Sequence, residues 1–423
     1  MSTSEPAGRE RGLSARLWPA LLLFGFSSGL PQPLVDGTFS TWMSKAGYST
    51  AELLKIGYVT LPFSLKVLWA PLVDRFVPPF LGRRRGWILA CQLALIAGLG
   101  AMAWLDPRAN FEALLAVAAL VSFAGATQDL VVNGYTCDAL PRERLAAGAG
   151  LAVWGYRAAW LLSGGLVLSV AGDERFGWGG AYGAMALLLG LGVLGTFLAP
   201  EPTRVTPPAT LRATLVVPLT EWRRALGPRG LVLLVLFALL YRLTDMVANL
   251  LAVPFLASLY DLSSLGLYRG VIGLAGAAVG VALAGWAMPR LGTLRALFLF
   301  GLAQAFSNLG YVGLVEGRWW SGTSGLVGVL FVENVCGALA ATAFVAYLMS
   351  FCRSGSAATQ YALLTTVTLL GPHLLRGPIA EVSERLGWSG FFLLTTALVL
   401  PALAPLWWLR RGLATPRTAT LPK

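Results

Sequence analysis

Apolar windows of about 20 residues, the length that roughly 30 Å of hydrocarbon asks of an α-helix, recur along this 423-residue chain between short polar stretches. They fall near 17–36, 52–73, 87–105, 112–138, 147–170 and 179–199. Beyond a stretch rich in Pro, Thr and Arg they resume near 230–259, 265–287, 294–314, 324–350, 358–382 and 389–409. The pattern predicts an all-α integral membrane protein with about 12 transmembrane helices. The alternating ten-residue rhythm of a membrane β-barrel is absent. The expected organisation is a tail over 1–16, a six-helix half over 17–199, a linker over 200–229, a second six-helix half over 230–409 and a tail over 410–423. No small-residue cleavage site follows the first window, which is therefore expected as a retained helix.

The chain also repeats itself. Glu174-Arg175-Phe176-Gly177-Trp178-Gly179-Gly180 before the sixth window returns as Glu384-Arg385-Leu386-Gly387-Trp388-Ser389-Gly390 before the twelfth, 210 residues on. Six helices between the copies give both the same orientation, so the halves are parallel repeats. That is the arrangement of major facilitator transporters, whose solute site lies between the halves near the bilayer midplane.

Composition agrees with a lipid solvent: 56% hydrophobic residues, 12% charged and a mean hydropathy of +0.69. The net charge of +12 changes the picture only through its distribution. With the N-terminus in the cytoplasm, 21 of the 32 basic residues fall in loops and tails on that side and five on the other. This places both termini in the cytoplasm of an inner-membrane protein and makes the charge a topology signal, not a nucleic-acid footprint. Cys91, Cys137, Cys336 and Cys352 stand singly, with no CxxC, so neither disulfide nor metal is expected. One histidine, His373, and no HxxxxD motif leave a membrane acyltransferase without its base.

Ionisable side chains inside lipid-spanning helices are costly and face a cavity or a partner. Lys66, Asp129, Arg157, Arg242, Asp245, Arg269 and Glu333 are the candidates, four cations against three acids. A cationic interior suits an anionic solute, because an arginine fork pairs with a carboxylate or phosphate. Gln128, Asp129 and Asn133 form a polar stripe in the fourth window; Arg242, Asp245 and Asn249 lie at i, i+3 and i+7 in the seventh; Glu333 and Asn334 sit mid-window in the tenth. Asp129 and Glu333, without a cation nearby in sequence, are read with Asp245 as proton-handling groups. Gln128, Asn133, Tyr156, Arg157, Arg242, Asn249, Arg269, Asn334 and Lys66 are read as solute contacts. Arg242 and Asp245 could equally neutralise one another. The glycine face of the eighth window reads as close helix packing, and Trp18, Trp69, Trp87, Trp104 and Trp178 at span ends as interface anchors.

After the second window, Asp74-Arg75 is followed by Arg83-Arg84-Arg85. Charge contacts there are expected to latch the two halves on the cytoplasmic side in one state and break in the other.

Several runs resemble the AmpG muropeptide permease family, a branch of the major facilitator superfamily related to acetyl-CoA transporters. They are Trp69-Ala70-Pro71-Leu72-Val73-Asp74-Arg75, Pro78-Pro79-Phe80, Gly82-Arg83-Arg84-Arg85-Gly86-Trp87, Gln128-Asp129, Gly155-Tyr156-Arg157, Ala199-Pro200-Glu201-Pro202, Ser307-Asn308, Glu333-Asn334, Ala343-Phe344-Val345-Ala346 and Thr359-Gln360-Tyr361-Ala362-Leu363-Leu364. The resemblance implies a secondary transporter, not an enzyme. It implies import of anhydro-muropeptides coupled to protons. Membrane lipids as surroundings, a monomer and no cofactor beyond the proton gradient are the accompanying expectations. One departure stands out. The family commonly carries a second acid four residues after the motif aspartate, where this chain has Asn133-Gly134-Tyr135. Another anionic metabolite as solute is the competing expectation, and a membrane receptor that binds without turnover is the alternative from a different class.

Overall fold

The computed structural model describes residues 5–48, 57–202, 208, 210–260, 262–317, 322–352 and 355–413. Every regular element among them is helical. Eight helical stretches among the described residues are long and apolar enough to cross a membrane, three of them made of two successive helices, and other crossings are assembled from shorter pieces.

The first crossing consists of α1 (Glu5–Gly29), α2 (Pro31–Val35) and α3 (Gly37–Lys45). It runs on to Lys45, where the apolar window closes at 36. Pro31 and Pro33 have no N–H to give and break the helix, yet Leu30, Leu34 and Val35 are fully buried. The chain kinks inside the bundle and continues. The second crossing is α4 (Leu61–Leu65), a 3₁₀ turn over Lys66–Leu68 and α5 (Ala70–Arg75). Tightening of the backbone at that turn sets Lys66 in mid-crossing.

Next come α6 (Arg83–Trp104) and α7 (Phe111–Ala139), then α8 (Leu145–Leu161), a π-helical turn over Leu162–Leu166 and α9 (Val167–Gly172). The sixth crossing is α10 (Gly177–Leu188) with α11 (Gly190–Leu198). Helix α12 (Leu211–Leu259) bends at Gly227, whose φ of 71° only glycine adopts freely. The stretch read as a linker is thus helical from Leu211 to Leu226. There follow α13 (Leu262–Leu291), α14 (Thr293–Ser307), α15 (Leu309–Glu316) and α16 (Gly322–Ser350). Last come α17 (Ala357–Ala397), bent at Gly387, and α18 (Val399–Leu413).

The repeat is visible in the backbone. Gly177 and Gly387, the glycines of the two sequence copies, both take positive φ, 57° and 65°. Gly82 and Gly292, at the same offset of 210 residues, take 85° and 76°. Each of these four glycines stands just before or at the first residue of a crossing, so the two halves turn into the membrane with the same local geometry.

Close packing of small residues joins the helices. A Cβ on Gly25 of α1 would lie 2.2 Å from the carbonyl oxygen of Ala152 in α8, and one on Gly280 of α13 would lie 2.4 Å from that of Val335 in α16. The glycine face of the eighth window therefore meets the tenth crossing backbone to backbone. Between the halves, α8 packs on α13 and α16, while α17 packs on α5 and α7.

The apolar cores are unequal at the two ends. One core, with Leu34, Phe39, Leu99 and Tyr182, belongs to the first half alone. Another, with Phe255, Leu330 and Phe392, belongs to the second half alone. A third joins Val73, Val131, Tyr135 and Ala149 to Phe237, Tyr241, Phe344 and Ala358. The halves are fused by shared apolar burial at the end that carries Asp74 and the arginine run.

Candidate functional site

The arginine run begins a helix instead of preceding one. Arg83 is the first residue of α6. Three cations in a first helical turn oppose the positive end of the helix dipole, and nearby carboxylates offset this. Glu201 accepts hydrogen bonds from the backbone N–H of Arg84 at 2.9 Å and of Arg85 at 3.1 Å. Arg84, 1% exposed, lies between two fully buried carboxylates. Its Nε donates to Asp138 Oδ2 at 2.8 Å. Its Nη2 stands 2.9 Å from Asp74 Oδ1, an ion-pair contact outside hydrogen-bond angles. Arg83 donates to the same Asp138 oxygen at 3.1 Å.

Two residues of this cluster reach the other half. Asp74 Oδ2 accepts from the backbone N–H and from the hydroxyl of Thr359, each at 2.7 Å, and so caps the first turn of α17. Arg83 Nη1 donates to the Gly355 carbonyl at 2.8 Å. The cross-half contacts are hydrogen bonds to a helix start and a carbonyl, where sequence reasoning expected charge meeting charge. Arg84 acts within the first half. So does Arg85, whose Nε donates to the Thr196 carbonyl at 2.9 Å. Arg75 donates to the Pro208 carbonyl at the head of the linker. Gly134 makes room for this cluster: a Cβ there would stand 2.9 Å from the Arg84 guanidinium carbon and 3.0 Å from Ala358 Cβ of α17.

A second polar layer lies deeper between the halves. Lys66 of the second crossing is ion-paired with Asp129 Oδ2 of the fourth, while Asn133 donates to Asp129 Oδ1 at 3.1 Å. Asp129, isolated in sequence, is thus held on both oxygens. The residue that replaces the family's second acid supplies one of those bonds. Across the interface, Arg157 of α8 reaches into the second half. Its Nη1 donates to Asn334 Oδ1 at 3.2 Å, and Asn334 in turn donates to Glu333 Oε2 at 2.9 Å. Tyr156 donates to Gln32 of α2 at 2.9 Å. Asp129 and Arg242 are both within electrostatic reach of Tyr156 and of Tyr361 on α17. Arg242 also lines a cavity of about 10 Å³, room for about one water, with Tyr241, Thr244, Gln304 and Gly337.

Other expected residues lie elsewhere. Gln128 is fully buried and donates to Ser27 on α1 at 2.8 Å; one step along the helix turns it about 100° from Asp129 and into the packing of the first half. Asn249 is exposed, about 10 Å along α12 from Arg242 at 1.5 Å per residue. Arg269 is half-buried on α13, one turn before the Gly273 that faces Asn334. The side chains of Asp245 and His373 lie outside the described residues. Trp69, half-buried, donates to Thr127 at 3.0 Å. Gln32, Asp138, Glu201, Thr359 and Tyr361 carry contacts that sequence reasoning did not assign. Glu201, Thr359 and Tyr361 were legible only as parts of the family-like runs.

Known proteins share this architecture. The family model described as Major Facilitator Superfamily matches residues 17–375. The chain is 39% identical over 392 residues to the anhydromuropeptide permease of Escherichia coli strain K12, covering 90% of this chain and 77% of that one. Among solved structures, the transporter FucP in its outward conformation superposes with a TM-score of 0.70 at 12% identity, over 93% of this chain and 98% of its own. The proton:xylose symporter XylE superposes at 0.67 and 11% identity, over 94% and 95%. These two likenesses carry the fold, and the sequence matches carry the relationship: the chain is a transporter of the major facilitator superfamily, in the family of the anhydromuropeptide permease.

Proposed function

We propose that this transporter imports anhydro-muropeptides across the inner membrane, one proton-coupled cycle at a time, with both termini, the 200–229 linker and the Asp74 latch in the cytoplasm. The six-helix halves 17–199 and 230–409 are the moving bodies. The relative named for this solute, 39% identical over most of both chains, supports the substrate class. The observation that carries the coupling is the ion pair of Lys66 with Asp129, set deep between the halves with Asn133 on the remaining carboxylate oxygen.

The chemistry is an exchange of partners. In a low-dielectric interior, removing one member of an ion pair leaves a costly uncompensated charge. A proton on Asp129 neutralises the carboxylate and frees the Lys66 ammonium, and a solute carboxylate then takes the vacated place. Arg157, whose fork already spans both halves through Asn334, offers a second bidentate contact, with Arg242 and Arg269 as further cations. Asn133, Asn334, Tyr156 and Tyr361 suit the amide and hydroxyl groups of an amino-sugar peptide. Glu333, and Asp245 on α12, are the other candidate proton carriers. Solute and proton are released when the latch side opens, which must break the Asp74–Thr359 and Arg83–Gly355 bonds.

Uptake of radiolabelled anhydro-muropeptide into vesicles tests this reading. Accumulation that rises with an inward proton gradient and collapses with an uncoupler is expected. Uptake indifferent to the gradient removes the coupling, and absence of uptake with any muropeptide removes the substrate.

A further inference from the structure

The latch has a second attachment that the transport cycle does not use. From Thr210 to Leu226 the linker forms a regular helical segment, its start capped by Thr210, whose hydroxyl accepts from the Ala213 N–H at 3.1 Å. Thr214, Pro218 and Trp222, four residues apart, make one buried face. That face is tied to the latch at both ends. Trp222 Nε1 donates to the Phe351 carbonyl at 3.2 Å, four residues before the Gly355 that Arg83 holds. Arg75 binds the Pro208 carbonyl just ahead of the helix.

The opposite side of the same helix is open. Arg212, Arg223, Arg224 and, just past the bend at Gly227, Arg229 are exposed. None of them enters an ion pair among the described residues. Between them, Val216, Val217 and Leu219 stay 41–46% exposed. Against four arginines the segment carries a single acid, Glu221. The bend leads straight into the apolar stretch read as a crossing from 230, so Arg229 stands at its start and Arg223 and Arg224 within about two helical turns of it.

We infer that this face of the linker helix binds anionic phospholipid of the latch-side leaflet and that the bound lipid holds the latch closed. Guanidinium forks match lipid phosphates, their aliphatic stems lie along apolar surface, and Val216, Val217 and Leu219 fit the acyl boundary as in interfacial helices. Charge complementarity is what selects the occupant: a zwitterionic headgroup cancels its own phosphate, whereas phosphatidylglycerol does not. The effect on the latch rests on reading that cluster as a gate; the lipid selectivity does not.

Spin-labelled phosphatidylglycerol and phosphatidylcholine, compared in vesicles containing the full chain, test the binding. The protein is expected to restrict phosphatidylglycerol at least about threefold more than phosphatidylcholine. The set Arg212→Gln, Arg223→Gln, Arg224→Gln and Arg229→Gln is expected to bring the ratio to about one, while the same four changed to Lys keep most of it. Equal selectivity in wild type and the Gln set, or none in wild type, overturns the site. Cys137 and Cys352, one from each half, lie within electrostatic reach of one another beside the latch, and oxidative crosslinking of the two reads its closure. Crosslinking at least about threefold faster in phosphatidylglycerol than in phosphatidylcholine, with the difference lost in the Gln set, is the expected result. Selective binding with unchanged crosslinking overturns the regulatory half while leaving the lipid site standing.

Discussion

The Asp74 carboxylate accepts two 2.7 Å hydrogen bonds from Thr359, a residue 285 positions further along the chain and in the other half of the molecule. One donor is a backbone N–H in the first turn of α17, the other the threonine hydroxyl. A helix start is thereby capped in trans, and the cap exists only while the halves are together at this end.

Thr359→Ala keeps the backbone donor and removes the hydroxyl. The loss of one charge-assisted bond, about 1.5–3 kcal/mol, is expected to lower latch closure at least about tenfold, read as the rate of Cys137–Cys352 crosslinking. An unchanged rate means that the cap does not hold the halves.

Arg84→Ala leaves Asp74 and Asp138 buried with much of their compensation gone. Breaking a buried ion pair by removing one partner costs about 3–5 kcal/mol, so the purified variant is expected to melt well below wild type. Arg85→Ala is the control. Arg85 makes one carbonyl contact within the first half, and its removal is expected to cost about 1 kcal/mol.

At Gly134 an alanine puts its Cβ 2.9 Å from the Arg84 guanidinium and 3.0 Å from Ala358 Cβ. Those neighbours belong to different halves, so the added methyl is expected to wedge the latch. Gly134→Ala should cost about 1–3 kcal/mol, as overpacking does, and slow Cys137–Cys352 crosslinking. A variant that crosslinks at the wild-type rate would show that the interface yields without cost.

Arg157→Lys keeps a positive charge between the halves but gives up the planar fork that now reaches Asn334. Solute affinity is expected to fall by at least about tenfold, roughly one charge-assisted bond, with proton-driven accumulation still present at saturating solute. Wild-type affinity in this variant would place the solute's anion elsewhere.

Much of this architecture can be read from the residues. Apolar windows locate the crossings because lipid leaves backbone polar groups no partner outside a helix. The 210-residue repeat announces the parallel halves, and the positive φ shared by Gly177 and Gly387 gives that repeat a backbone meaning. Partnerships are what stay hidden. Asp129 looks solitary because its cation, Lys66, comes from a different crossing and is set by a 3₁₀ turn that hydropathy does not mark. Gln128 looks like a site residue because it adjoins Asp129, yet adjacent helical positions point apart. The arginine run looks like a loop until Glu201, 116 residues past Arg85, is seen to accept from its first-turn N–H groups. Pairings across such sequence distances depend on the packing of whole helices, which no local pattern encodes.

Proton coupling turns on Asp129 trading Lys66 for a proton, and Asp129→Asn tests this most directly. Asparagine fills the same space and can still bond Lys66 and Asn133, but it cannot load and release a proton. In vesicles the variant is expected to exchange labelled for unlabelled solute across the membrane while failing to accumulate it against a gradient when an inward proton gradient is imposed. Accumulation at the wild-type level by Asp129→Asn would mean that the coupling proton is carried elsewhere.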